Sequence, residues 1–225
     1  MVEILALAAM AGVAGVGAVI EARAQARHAL IARRCAERGW AHRRRGNTIA
    51  ARLGHCFPLL AAGWHRRVRD VVELGTPEPA VQCFDFSWSE RQHTLARTTR
   101  RAVAVVALDG AVPTVRIDGE SVASRIAGAL GTPPVRVGHT AFDRRFRVRA
   151  PERGDAFAVL HPEMITFLLS QDIDDWELCG THLLLARHGR WAPEDYAPVA
   201  AAARRFVTLL PDWVVEAPVE PRRAW

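Results

Sequence analysis

The sequence predicts an α+β protein in which an N-terminal transmembrane helix precedes a largely antiparallel sheet packed with two or three helices. Three observations carry this expectation. Ile4 to Ile20, ILALAAMAGVAGVGAVI, is a run of 17 residues with no charge and no strongly polar group. Short apolar or alternating runs of strand character occupy much of the chain from residue 66 onward. Helical stretches opened by proline come mainly after those runs, and strands first with helices later is the order of an α+β fold, not of alternating βαβ units.

At ~1.5 Å per residue the apolar run reaches ~26 Å, close to the ~30 Å hydrocarbon core of a bilayer. Met1, Val2 and Ala22 can extend it. A cleaved secretory signal would need a positive segment ahead of the apolar one, whereas this chain has Glu3 and no arginine before Arg23. A buried core helix is the remaining alternative. Arg23, Arg27, Arg33 and Arg34 all follow the run, so the positive-inside rule assigns the body to the cytoplasm, as in a single-pass protein of the cell membrane. Small residues recur at four-residue steps (Ala8 and Gly12, Ala11 and Gly15, Ala14 and Ala18), a weak signal for a homodimer in a run this rich in alanine.

Glu21 to Arg38 continues with good helix formers, free of proline and glycine, and Gly39 is a suitable stop. Its arginines, with Arg43, Arg44 and Arg45, either rest against anionic lipid headgroups or serve only to fix the topology. Membrane lipid is thus the first expected partner. The expected organisation is a transmembrane anchor over 1–22, a basic juxtamembrane helix and linker over 23–45, one α+β domain over 46–217 and a C-terminal tail over 218–225.

All 30 basic residues are arginine, which together with the excess of alanine and valine suggests a GC-rich, actinobacterial coding genome. Residues 1–45 carry eight arginines against three glutamates, while residues 46–225 carry 22 against 21 acids, so the net charge of +6 belongs almost wholly to the first segment. A nearly neutral body argues against nucleic acid as a partner. Cys35, Cys56, Cys83 and Cys179 lack a paired spacing, which fits free thiols in a reducing compartment.

Strands are expected at Arg66 to Leu74, Val81 to Trp88, Arg100 to Leu108, Thr114 to Ile117, Val135 to Val137, Phe142 to Arg149, Trp176 to Cys179 and Leu183 to Arg187. Ser89 to Thr99, with His93, reads as a hairpin loop. Gly119 to Gly131 reads as a short helix ended by glycine. Asp155 to Ser170 contains His161-Pro162 and so divides into two helices, the second opened by Pro162. Pro193 to Leu210 opens with proline and an acidic turn, with Pro198 delaying the start of the helix.

In FDRRFRVR, Phe142 to Arg149, alternation sets Phe142, Phe146 and Val148 on one face of a strand and Asp143, Arg145, Arg147 and Arg149 on the other. The arginine row is either a solvated face or a site for an anion or acidic partner. Asp85 lies between Phe84 and Phe86 and by the same alternation faces away from them, towards water. Cys179-Gly180-Thr181-His182 has half the spacing of a zinc site, with His55-Cys56 as a conceivable second half, but neither is a paired-ligand signature and Gly180-Thr181 reads as a hairpin turn. The chain has no G-x-S-x-G, no H-E-x-x-H, no phosphate loop and no dinucleotide fingerprint, so no catalytic residue, metal ligand or cofactor is expected.

The succession RGW at Arg38 to Trp40, FDFSW at Phe84 to Trp88, AVVAL at Ala104 to Leu108, FDRRFRVR, and VLHPEM at Val159 to Met164 resembles a family of actinobacterial membrane-anchored proteins of unknown function. The resemblance implies one N-terminal transmembrane helix and one α+β domain, and supplies no reaction or ligand. Two functions stand from these readings. One is a membrane-tethered cytoplasmic interaction or scaffold domain with an unknown protein partner; the alternative is a membrane-tethered hydrolase or small-ligand-binding enzyme.

Overall fold

A computed structural model describes residues 2–92, 95–119 and 133–215, with side chains from Val19 onward apart from Ile20, Gln92 and Leu95. The first helix, α1, runs Val2–Arg38. It stops where Gly39 takes φ 68°, the left-handed position that glycine adopts without steric penalty, and the Trp40 amide then donates back to the Cys35 carbonyl at 2.9 Å. The expected anchor rests on side chains that lie outside the described residues. Among the described residues no helix is long and apolar enough to cross a membrane.

Six strands form one sheet, and every pairing among them is antiparallel. They are β1 (Ala41–Arg45), β2 (Trp64–Leu74), β3 (Val81–Gln92), β4 (Leu95–Gly119), β5 (Phe146–Arg149) and β6 (Asp175–His188). Four adjacent pairs run β1-β2-β3-β4-β5, and β6 lies along the other edge of β4. The stretch 41–45, expected as linker, is therefore an edge strand, with Ala41 opposite Glu73 and Arg45 opposite Arg69.

Two pairs of short runs expected as separate strands are in fact single long ones. Arg100 to Leu108 and Thr114 to Ile117 belong to β4, whose register against β6 slips between Ala107 and Val112 and again before Val115. Trp176 to Cys179 and Leu183 to Arg187 both belong to β6. Gly180 is no hairpin turn: it pairs with Val112 at φ 58°, inside the irregular stretch between the regular pairings at Ala107 and Val115.

Helices cover both faces of the sheet. On one, α2 (Asn47–Leu53) and α3 (Pro58–Ala61) pack Ile49, Leu53, Phe57 and Leu60 against Val68, Phe84, Phe86, Trp88 and Val103. The other face carries the larger core, with α5 (Arg153–Val159), α6 (Pro162–Ser170) and α7 (Tyr196–Leu209), preceded in the chain by a short α4 (Thr140–Arg145) and followed by α8 (Asp212–Val215). In α7 the residues Tyr196, Val199, Ala200, Ala203 and Phe206 recur at helical spacing and are buried, with Phe206 stacked on Trp176 at 5.2 Å. The break at His161-Pro162 falls as expected, with the His161 Nδ1 accepting from the Met164 amide and Nε2 meeting the Leu209 carbonyl at 2.9 Å.

The second half of α1 belongs to this larger core, since Ile31 and Cys35 are buried in it. Trp40 packs edge-on against Tyr196, ring centroids 6.4 Å apart. The expected helix at Gly119 to Gly131, His93 and the tail at 218–225 lie outside the described residues, apart from Gly119 at the end of β4.

Candidate functional site

Where α1 crosses β1, β2 and β3, its polar side chains meet the sheet and enclose a cavity of about 230 Å³. Arg27 donates through Nη2 to Asp85 Oδ2 at 2.7 Å and to the Trp191 carbonyl at 2.8 Å. The Trp191 amide in turn donates to Asp85 Oδ1 at 3.2 Å, and the indole Nε1 donates to the Val103 carbonyl at 2.9 Å. Asp85 does face away from Phe84 and Phe86, but α1 and Trp191 cover that side too, so the carboxylate is buried and not in water. Burial pushes the Asp85 carboxyl above its ordinary range, while Arg27 and the Trp191 amide pull the other way.

Beside this pair, His28 Nδ1 sits 2.6 Å from Asp70 Oδ1, and His42 Nε2 lies 3.6 Å from the same oxygen. The two imidazoles are 4.9 Å apart between centroids. Asp70 interrupts β2 with φ 50°, at the point where the register against β3 slips between Arg69 and Val72. An aspartate tolerates this left-handed conformation better than most residues, and here it coincides with a carboxylate placed between α1 and β1. Burial, and then the neighbouring His28, lower the His42 pKa, so its ring is neutral at physiological pH.

The cavity walls carry six guanidinium groups, from Arg27, Arg44, Arg45, Arg69, Arg100 and Arg190, against the carboxylates of Glu21, Asp70 and Asp85. Arg27 and Arg190 both approach Asp85, and Arg44 approaches Glu21 at 3.9 Å. Arg45, Arg69 and Arg100 have no carboxylate partner among the described residues. Three guanidiniums without carboxylate partners among the described residues leave this concave space with an excess of positive charge.

The residues singled out from the sequence divide. Arg27, Arg44 and Arg45 reach the cavity, Arg43 approaches Glu73, and Arg33 and Arg34 pair with Glu37 on the exposed side of α1, where Arg23 is also exposed. FDRRFRVR is not one strand, because its first four residues belong to α4 and the β pairing starts at Phe146. Only Arg147 of the arginine row is exposed. Arg145 lies over the Phe146 ring and donates to the carbonyls of Leu169 and Gln171, and Arg149 is paired with the buried Asp118. The row is therefore structural at two of its three positions. Cys179 and Cys56 approach each other through a 4.0 Å contact from the Cys56 thiol to the Cys179 carbonyl, and burial with the neighbouring thiol pushes Cys179 up to about 12, leaving it protonated and inert.

A second charged cluster crosses β5, β4 and β6, where Arg149 meets Asp118, Arg116 meets Glu177, and Arg101 lies 3.7 Å from Asp175. Of these side chains Arg101, Arg116, Asp118, Asp175 and Glu177 are buried, and none lines the cavity beside α1. His28, His42 and Asp70 escaped the sequence reading because they come from three elements and share no spacing. The nearest signal was His28 beside Arg27 on the face of a helix that also carries Ile31 and Cys35.

Fold and site together define an α+β domain built on an antiparallel sheet, with its first helix docked over a basic cavity. The chain matches no family profile and no curated protein. Among solved structures it resembles that of the mycobacterial trehalose monomycolate transport factor A, TtfA, with a TM-score of 0.56 at 14% identity, over 81% of this chain and 96% of that one. The likeness shows the fold, and shows it in an actinobacterial protein.

Proposed function

We propose that this chain is a membrane-tethered, non-enzymatic interaction domain of the cytoplasmic face, and that its cavity takes an anionic group presented at the membrane surface. The observation that carries the reading is the position of the cavity on α1. Glu21, the first charge after the apolar run, lines it, and Arg45, Arg69 and Arg100 stand there without counter-ions among the described residues. With the apolar run in a bilayer, those guanidiniums lie at headgroup depth, where each contributes about 1 kcal/mol of attraction to an anionic surface. The second half of the helix is fixed to the body by Arg27, His28, Ile31 and Cys35.

TtfA is by name a trehalose monomycolate transport factor. An accessory role in an envelope-associated complex is the corresponding expectation here. The convergence of Asp70, Asp85, His28 and Arg27 on one cavity favours a second reading, a ligand-binding or hydrolytic enzyme. Against it, Asp85 is held by Arg27 and the Trp191 amide and Asp70 by His28, which leaves neither carboxylate free as a base.

The test uses the full chain in nonionic detergent, titrated with a short-chain phosphatidylglycerol and with a zwitterionic phosphatidylcholine. The anionic lipid alone should bind. Changing Arg45, Arg69 and Arg100 together to Gln should weaken it by roughly tenfold or more, the equivalent of about 1.4 kcal/mol, without lowering the thermal midpoint. Equal binding by the triple variant refutes the cavity as the site, and a reporter fused after Trp225 that proves non-cytoplasmic refutes the orientation.

A further inference from the structure

His28 on α1, His42 on β1 and Asp70 on β2 bring two imidazole nitrogens and a carboxylate oxygen to within 4.8 Å of one another. No spacing in the sequence announces this group; the docking of the first helix assembles it. Three features separate it from an ordinary hydrogen-bonded cluster. His42 Nε2 is buried, with the side chain only 10% exposed, and has no hydrogen-bond partner, since Asp70 Oδ1 at 3.6 Å is beyond bonding range. A buried ring nitrogen left this way pays its desolvation in full unless something coordinates it. Asp70 is held in the left-handed region, a placement that tends to mark functional sites. Finally, His28 and Asp70 line the cavity, so a ligand bound between the three groups has an access path and a further open side.

We propose that His28, His42 and Asp70 form a site for one divalent transition-metal ion of the zinc type, with its fourth position turned towards the cavity. Two imidazoles and a carboxylate are a donor set that zinc accepts, and bonds of about 2.0–2.2 Å in a tetrahedral shell separate ligand atoms by roughly 3.3 Å. The His42 to Asp70 separation of 3.6 Å already matches. His28 and Asp70, now 2.6 Å apart, would need to part by less than about 1 Å, trading a hydrogen bond for two metal bonds. The surrounding arginines raise the potential and oppose a cation, but they also favour an anionic fourth ligand, which offsets part of that repulsion. Bound ion would clamp α1 to β1 and β2, a role that stands whether or not the cavity binds lipid.

The experiment takes the full chain in detergent, stripped with a chelator and titrated with Zn²⁺ and with Co²⁺. One equivalent should bind, and the cobalt form should show the ligand-field bands of a four-coordinate nitrogen and oxygen set without a thiolate charge-transfer band. His42→Gln and Asp70→Asn should each weaken binding by about a hundredfold or more, because even changes behind the ligands cost about 10–100-fold. His65→Gln, on an exposed residue outside the group, should change nothing. The proposal is overturned by the absence of a stoichiometric ion on the unaltered chain, by a thiolate band that moves the ion to a cysteine, or by binding that survives both ligand substitutions. The cobalt spectrum of the unaltered chain decides the matter even if a variant fails to fold.

Discussion

Arg27 and Asp85 are 58 residues apart in the chain and 2.7 Å apart in space, and the same Arg27 nitrogen also reaches the Trp191 carbonyl. One guanidinium therefore joins the first helix, the third strand and the segment ahead of α7. Removing Asp85 leaves that cation half-buried without its anion and strips the Trp191 amide of its acceptor. Asp85→Ala is expected to destabilise the full chain by on the order of 3 kcal/mol, and the double variant with Arg27→Met to recover part of that loss. Denaturant unfolding in detergent measures both, and simple additivity of the two changes would refute the coupling.

Phe146 and the arginines around it respond differently. Phe146 is buried against Phe142, so Phe146→Ala should lower stability by ~3–5 kcal/mol. Arg147→Gln, on the exposed position, should stay within ~0.5 kcal/mol. Arg149→Gln should fall between them, because it leaves the Asp118 carboxylate buried without its partner. Thermal unfolding of the three variants settles the order.

The same stretch shows what was legible in the sequence. Val81 to Trp88 and Arg66 to Leu74 form β3 and β2 as their alternation suggests, and His161-Pro162 caps α6 because proline at a first helical turn and an acceptor before it work locally. FDRRFRVR misled because a six-residue helix followed by a four-residue strand has no period of its own, and its polar residues happen to alternate. Asp85 misled for another reason: alternation assigns a face but not what covers it, and here the cover comes from Arg27 and Trp191. The site was hidden for the same cause, since Asp70 acquires its role from a left-handed turn inside a strand that nothing in VRDVV announces.

Acid should stabilise the protein through Asp175. Burial, opposed mainly by Arg101, pushes its carboxyl from 3.8 up to about 7, so between those values the folded chain keeps a proton that the unfolded chain releases. The contribution is complete below about pH 4 and is lost as pH rises through about 7. Glu177, pushed to about 7 by burial against the pull of Arg116, adds in the same direction. The thermal midpoint should therefore be lower at about pH 8 than at about pH 5, and Asp175→Asn should flatten part of that slope. A midpoint that rises with pH, or an unchanged slope in the variant, would exclude this origin.

Gly63 and Gly39 form a matched pair. Both adopt positive φ, but a Cβ on Gly63 would lie 2.3 Å from the Ser89 carbonyl oxygen, whereas nothing approaches one on Gly39. Gly39→Ala should cost about 1–2 kcal/mol, the conformational penalty alone. Gly63→Ala should cost visibly more, because the backbone of β3 must also give way. Equal midpoints for the two variants would show that Ser89 yields freely.

The bond from Arg27 to the Trp191 carbonyl spans 164 residues. During synthesis His28 and Arg27 meet Asp70 and Asp85 once β2 and β3 have been made, whereas the Trp191 carbonyl emerges far later. Only when Trp191 has been made can the second bond of Arg27 close. The helix is thus held first by the early strands and locked last by a segment 164 residues on, and a chain halted before residue 191 would carry that helix beside an unclosed fold.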